Sequence, residues 1–178
     1  MTNNSSPKAG LGNLNVLIGQ AFIEKEQDAY WENLIKLFTK DKHKNFIRAR
    51  SIILDFHLAF DFFLSRAILQ LCVSGAYLIK LSVLEEKELS RLSESLSKIE
   101  FGKRMQVVFN LGIFSPDSQT IISKVNELRN GFAHIKKVND ATFNYKGKSI
   151  FELEGISEII KDYDKVHNEF FNFMGIKP

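Results

Sequence analysis

The chain contains only one cysteine, Cys72, among its 178 residues. A single cysteine cannot form an intrachain disulfide, which excludes the small secreted domains that depend on a disulfide framework. Cys72 lies inside an apolar run, so we expect its thiol to be buried and to act as a small hydrophobic group in a reducing compartment.

Long uncharged apolar runs are also missing. The most apolar region, residues 52–84, is interrupted by charged side chains, and its longest charge-free stretch is Ala67–Ile79. That stretch is shorter than the roughly 20 apolar residues that a membrane-spanning helix needs. Residues 1–15 lack the basic and then apolar pattern of an export signal. We therefore expect a soluble cytoplasmic protein with no membrane partner.

The chain is rich in phenylalanine, with 16 Phe against one Trp, and this predicts an interior packed with phenyl rings. A net charge of +3 is only mildly basic, which permits a nucleic-acid partner without requiring one. The length fits a single domain. We expect a mobile polar tail over residues 1–15 and one helical domain over residues 16–178.

Apolar residues recur at helical spacing along most of the chain. A long helix is predicted over about 46–71, and its apolar positions surround the helix almost completely. Such a helix is typical of a central buried element or of one covered by a partner subunit. A last helix is predicted over about 157–174, whereas 141–153 permits either a small hairpin or an irregular loop.

Local signals mark the ends of two helices near the middle of the sequence. A helix over about 101–111 should end at Gly112, and the next should begin with Ser115 as N-cap and Pro116 in its first turn. No internal repeat or parallel-strand pattern is present. The sum predicts an all-α fold, an up-and-down bundle of five or six helices joined by short connections.

One segment combines a permanent cation with an imidazole that can change its protonation state: Arg129-Asn130-Gly131-Phe132-Ala133-His134. A neutral histidine can take the proton from a ribose 2′-hydroxyl, while an imidazolium can protonate the leaving 5′ oxygen. Arg129 would neutralise the charge that builds on the phosphoryl oxygens, and Asn130 could orient a ring or hold a phosphate. This reaction leaves a 2′,3′-cyclic phosphate and needs no metal.

Geometry limits how Arg129 and His134 can act together. Positions five residues apart on an ideal helix are separated by roughly 140°. The two side chains could meet if the helix ended between them, which Gly131 would allow, or if a two-fold dimer brought two copies of the segment together. They could also simply stabilise the end of a helix, because histidine is favourable at a C-terminus.

The segment resembles the Arg, polar residue, x3, His signature of HEPN domains. The likeness is closest to the mannitol operon repressor-like branch, in which a helix ending in Leu-Gly-Leu or Leu-Gly-Ile precedes the motif helix. Here those features are Leu111-Gly112-Ile113 and Leu128-Arg129-Asn130 through Ala133-His134, and the match covers about residues 100–135.

This resemblance implies a helical bundle that forms a homodimer by packing its motif helices. In many members it also implies a metal-independent endoribonuclease, with Arg129 and His134 as catalytic residues and Asn130 as their polar support. Some members of the branch are regulators instead.

Three further groups of residues are candidates for the same site. Lys136 and Lys137 lie two and three residues after His134 and could hold a substrate backbone. His57 and Asp61 lie four residues apart on the long helix, where they could form an accessory general base oriented by a carboxylate. They could equally be a buried imidazole satisfied by a hydrogen bond. The histidines, the cysteine and the acidic residues show no metal-type spacing, so we expect neither a metal nor another cofactor.

Two hypotheses of different classes follow. In the first, the chain is a homodimeric endoribonuclease that cleaves single-stranded RNA, acts as a toxin or defence effector, and has a possible antitoxin or regulatory protein partner. In the second, it is a non-catalytic dimeric module that uses the same groove to bind a regulator, a nucleic acid or a nucleotide. A DNA-binding repressor is weaker, because the sequence offers no basic recognition helix.

Overall fold

A computed structural model of the chain describes residues 33, 35–39, 41–76, 91, 94–134 and 141–175. The chain divides into two compact units, Met1–Leu37 and Phe38–Pro178. The elements below belong to the second unit. The predicted N-terminal tail, residues 1–15, lies outside the described residues.

Four α-helices form most of the described part of this unit: α1 is Lys42–Ala76, α2 is Phe101–Asn110, α3 is Pro116–Ala133 and α4 is Leu153–Phe173. Between α3 and α4 lie a 3-10 turn, Ala141–Phe143, and two short strands, β1 at Asn144–Tyr145 and β2 at Lys148–Ser149. The strands pair antiparallel, with Tyr145 opposite Lys148, so the hairpin alternative for this region is confirmed. The predicted all-α class is also confirmed.

Local chemistry sets the junction between α2 and α3. Gly112 has a φ of 66°, a left-handed conformation that glycine adopts without a Cβ penalty, and it follows the end of α2. The Ser115 hydroxyl accepts a hydrogen bond from the Ser118 backbone N–H at 3.3 Å, and Pro116 occupies the first helical position. Both predicted boundaries are confirmed.

The core is aromatic, as the phenylalanine content predicts. Phe56 of α1 stacks on Tyr163 of α4 with ring centroids 4.3 Å apart, and Phe63 stacks on Phe170 at the same distance. These side chains are almost completely buried, as is the α3 face formed by Ile121, Val125, Leu128 and Phe132. Helix α1 therefore occupies the centre of the packing, between α4 on one side and α2 and α3 on the others.

Part of α1 is nevertheless exposed and apolar. Ile47 is 70% exposed and Leu58 is 66% exposed. The two residues are eleven positions apart, which places them on the same face of the helix. Cys72 is exposed as well, so the prediction of a buried thiol is wrong. An apolar run identifies a helix but does not determine which side of it faces the core, and Cys72 lies close to the outward direction of Ile47 and Leu58.

Gly131 lies inside α3 and does not end it. A Cβ atom at this position would lie 3.1 Å from Cγ2 of Thr142 and 3.2 Å from Cε1 of Phe143. Glycine therefore lets the 3-10 turn pack directly against the last turn of α3. Phe132, Phe143 and Phe151 pack beside it, with centroid distances of 4.7 Å for Phe132–Phe143 and 5.2 Å for Phe143–Phe151.

In the part of the chain that the structure describes, no helix combines the length and the apolar content that crossing a membrane requires.

Candidate functional site

Arg129 lies near the C-terminal end of α3 with its side chain exposed. Its Nη1 donates a hydrogen bond to Oδ1 of Asn130 at 3.1 Å. Asn130 is partly buried, whereas Arg129 is exposed. The contact joins the Arg129 guanidinium to the Asn130 amide.

His134 caps the C-terminus of the same helix. Its backbone N–H donates to the Asn130 carbonyl at 3.1 Å, and its side chain is exposed. Helix α3 continues without interruption to Ala133, so it does not end between Arg129 and His134. The route in which a break at Gly131 brings the two side chains together is therefore wrong. On an unbroken helix the two positions remain roughly 140° apart.

A second imidazole, His57 of α1, lies on the Arg129 side of α3. Its ring stacks on Phe101 of α2 with centroids 4.3 Å apart, and its side chain is half-buried. It also makes a hydrogen bond with the side chain of Asn126. Since Asn126 and Arg129 are three residues apart on α3, they share one face, and this face meets α1 at His57.

The surroundings of His57 favour its neutral form. Burial lowers the pKa of His57 below its ordinary value of 6.5, and the nearby positive charge of Arg129 lowers it further. The charge of Asp61 and the hydrogen bond with Asn126 oppose this shift, while Arg104 adds to it. The net direction is downward, so the imidazole is neutral at pH 7 and can accept a proton beside an exposed guanidinium.

Asp61 has a different principal partner from the one the sequence suggests. Its Oδ1 lies 2.5 Å from Nη2 of Arg104, whose Nη1 also donates to the Ser65 hydroxyl. Only 6% of the Arg104 side chain is exposed, and its buried Nε has no hydrogen-bond partner among the described residues. Asp61 thus acts on His57 through its charge, while its carboxylate holds a buried arginine of α2.

We name the resulting group the His57 cluster: His57 and Asp61 of α1, Arg104 of α2, and Asn126 and Arg129 of α3. The sequence analysis did not assign Asn126 and Arg104 to the site. Arg104 could have been noticed because it lies four residues before Val108, on the buried face of a short helix, where an arginine needs a partner. No comparable signal marks Asn126.

Two other expectations concern the lysines after His134 and a metal site. Lys136 and Lys137 lie outside the described residues. Across the ranges that the structure describes, no group of three histidine, cysteine, aspartate or glutamate side chains is arranged to hold a metal ion.

Comparison with known proteins adds no relative. No family model matches the chain, and no curated protein and no solved structure matches it significantly. The HEPN resemblance therefore depends on the motif and its helical context.

Proposed function

We propose that this protein is a HEPN-like, metal-independent endoribonuclease that cleaves single-stranded RNA by attack of the ribose 2′-hydroxyl, and that it serves as a toxin or defence effector. The observation that carries the proposal is the His57 cluster, in which an exposed guanidinium lies beside a half-buried, neutral imidazole. These are the two groups that a metal-free attack on a phosphodiester requires on the nucleophile side.

Each residue has a distinct role in the proposed reaction. His57 accepts the proton of the 2′-hydroxyl, and Arg129 neutralises the charge that develops on the phosphoryl oxygens. Asn130 orients Arg129 through the 3.1 Å hydrogen bond. His134 of a second copy donates the proton to the leaving 5′ oxygen. The oxygen that attacks remains bonded to phosphorus, so the product carries a 2′,3′-cyclic phosphate.

The continuity of α3 supports a second copy of the chain in the proposed site. Because the helix is continuous, Arg129 and His134 of one protomer lie on different sides of it. A two-fold arrangement of α3 helices would bring His134 of one protomer towards Arg129 of the other. The exposed apolar side chains of Ile47 and Leu58 on α1 support a partner subunit, since they leave hydrophobic surface uncovered in one chain.

Incubation of the full chain with end-labelled single-stranded RNA in EDTA tests the proposal. We expect cleavage with cyclic phosphate ends, and loss of cleavage in Arg129→Ala and in His134→Ala. Arg91→Ala is the matched control, because it removes another exposed arginine outside the motif. Toxicity on expression should follow the same pattern. Intact RNA in the presence of folded wild-type protein would contradict the enzyme.

The second candidate is a non-catalytic dimeric module, and the same continuity of α3 favours it. If no partner supplies His134, the His57 cluster is a one-sided surface that can bind an anion but cannot protonate a leaving group. RNA that binds, remains intact and is released by Arg129→Ala would identify this function.

A further inference from the structure

A cavity of about 450 Å³ lies between α3, the β1–β2 hairpin and α4, and its polar lining is Asp117, Thr120, Lys124, Lys146, Asp162 and Lys165. It is separate from the His57 cluster. Lys124 and Arg129 are five residues apart on α3, so they are roughly 140° apart around the helix. None of the residues that line the cavity has a role in the proposed ribonuclease reaction.

One of the lining residues is a buried carboxylate. The Asp162 side chain is 3% exposed, and its Oδ2 accepts a hydrogen bond from the Tyr145 hydroxyl at 2.7 Å. Nζ of Lys146 lies 2.5 Å from the same oxygen, and Nζ of Lys165 lies 2.7 Å from Oδ1. One negative charge thus holds two ammonium groups that come from different elements of the fold.

Asp162 and Lys165 favour each other's charged forms. Burial alone would raise the pKa of Asp162, but the hydrogen bonds from Lys146, Lys165 and Tyr145 lower it overall. The hydrogen bond with Asp162 raises the pKa of Lys165. With Lys124 included, the lining carries three positive charges against the two negative charges of Asp117 and Asp162. Lys124 is in turn paired with Glu127, outside the lining, at 2.8 Å, so the remaining lining residues carry two positive and two negative charges.

The hairpin holds Lys146 in an uncommon backbone conformation. Lys146 has a φ of 48° and Gly147 a φ of 78°, as in the two-residue turns that usually carry Asn, Asp or Gly at the first position. A lysine there is strained by comparison, and its amine lies 2.5 Å from Asp162 of α4. Asp162 thus holds one lysine from the hairpin and one from α4.

We infer that this cavity binds a small organic phosphate, with Lys146 and Lys165 as the phosphate-binding residues. Each ammonium group has three N–H donors and uses one on Asp162, so the pair can still donate to several phosphate oxygens. The volume lies in the range of small-molecule sites and exceeds what a phosphate alone fills. Ile121 and Tyr145 complete the lining and provide an apolar wall for the organic part.

Isothermal titration of the full chain with ribose 5-phosphate, inorganic phosphate and ribose tests this inference. We expect saturable binding of ribose 5-phosphate, weaker binding of inorganic phosphate and none of ribose. Lys165→Ala should lower the affinity for ribose 5-phosphate by about tenfold or more, because it removes one charged hydrogen bond. Lys165→Arg should retain most of the affinity.

The matched control is Lys161→Ala, which removes an exposed lysine of α4 one turn away, outside the cavity lining. The affinity of Lys161→Ala for ribose 5-phosphate should equal that of the wild type. Melting temperatures of all variants separate loss of binding from loss of folding, and Lys165→Arg serves if the alanine variant is unstable. The inference is overturned if ribose 5-phosphate does not bind or binds no more tightly than inorganic phosphate. It is also overturned if Lys161→Ala loses as much affinity as Lys165→Ala, or if the chain binds RNA oligonucleotides but not ribose 5-phosphate.

Discussion

The ionisable groups on the two sides of α3 differ in whether they are held neutral or charged. On the side of the His57 cluster, the imidazole is half-buried against α2, and its pKa is lowered by burial and by Arg129, so it is neutral at pH 7. On the side of the cavity, Asp162 and Lys165 hold each other in their charged forms. The first arrangement suits proton transfer, whereas the second suits binding of a fixed anion. One helix can therefore carry a reaction on one side and recognition on the other.

The largest expected effect is the loss of RNA cleavage in His57→Gln, which tests whether the His57 side of α3 carries the reaction. Glutamine keeps a polar side chain of similar reach but cannot act as a base, so RNA cleavage should fall by about 10²- to 10⁴-fold. The melting temperature should change little, because Asn126 can still form a hydrogen bond with the amide. Undiminished cleavage in this variant would remove His57 from the reaction.

Arg104→Ala should give the largest loss of stability on the His57 side. It leaves Asp61 without the partner at 2.5 Å, and we expect the free energy of unfolding to fall by about 2–3 kcal/mol, since Asp61 is one-third exposed and water recovers part of the loss. Lys103→Ala is the control, because Lys103 is an exposed neighbour on α2. Equal urea midpoints for the two variants would show that the buried pair contributes nothing.

Replacement of glycine by alanine should act in opposite directions at two positions. In Gly131→Ala the new methyl lies within 3.2 Å of Thr142 and Phe143, and we expect a net loss of about 1 kcal/mol despite the better helix propensity. In Gly102→Ala nothing lies within 4 Å, so a gain of up to about 1 kcal/mol is expected. Thermal unfolding measures both, and a stabilised Gly131→Ala would show that the 3-10 turn does not need glycine.

The smallest effect is a difference in pH dependence between the two sides. The folded pKa of His57 is below 6.5, so its contribution to stability is complete above that pH and is lost as the pH falls through the folded value. The pKa of Asp162 is also lowered, so its contribution is complete above 3.8 and is lost only at more acidic pH. Urea unfolding from pH 7 to pH 5 should therefore show a decline that His57→Gln removes. A decline that remains in that variant would assign it to another group.

Sequence reasoning succeeded here wherever the determinants are local. Ser115, Pro116 and Gly112 set the boundaries of α2 and α3 through their own backbone and side-chain chemistry, and the spacing of apolar residues identified the buried face of α3. It failed at Gly131, because the reason for that glycine is the approach of Thr142 and Phe143 from a later turn.

The candidate site shows the same division. Arg129, Asn130 and His134 were found because they are neighbours in sequence. The proximity of His57 to Arg129 and the pairing of Asp61 with Arg104 depend on how α1, α2 and α3 pack, and the paired residues are 72 and 43 positions apart. Likewise, the sequence pattern around Tyr145 permits a hairpin but does not indicate that Lys146 of its turn forms an ion pair with Asp162.

Mixing two inactive variants tests the shared active site most directly. Arg129→Ala and His134→Ala subunits are purified separately, combined at equal concentration and assayed on single-stranded RNA in EDTA. In a mixed dimer, one of the two sites keeps both an intact Arg129 and an intact His134 from the other chain. With random exchange, half of the dimers are mixed, so we predict recovery of about a quarter of the wild-type activity. A mixture as inactive as either variant alone, under conditions where subunit exchange is demonstrated, would contradict a site built from two chains.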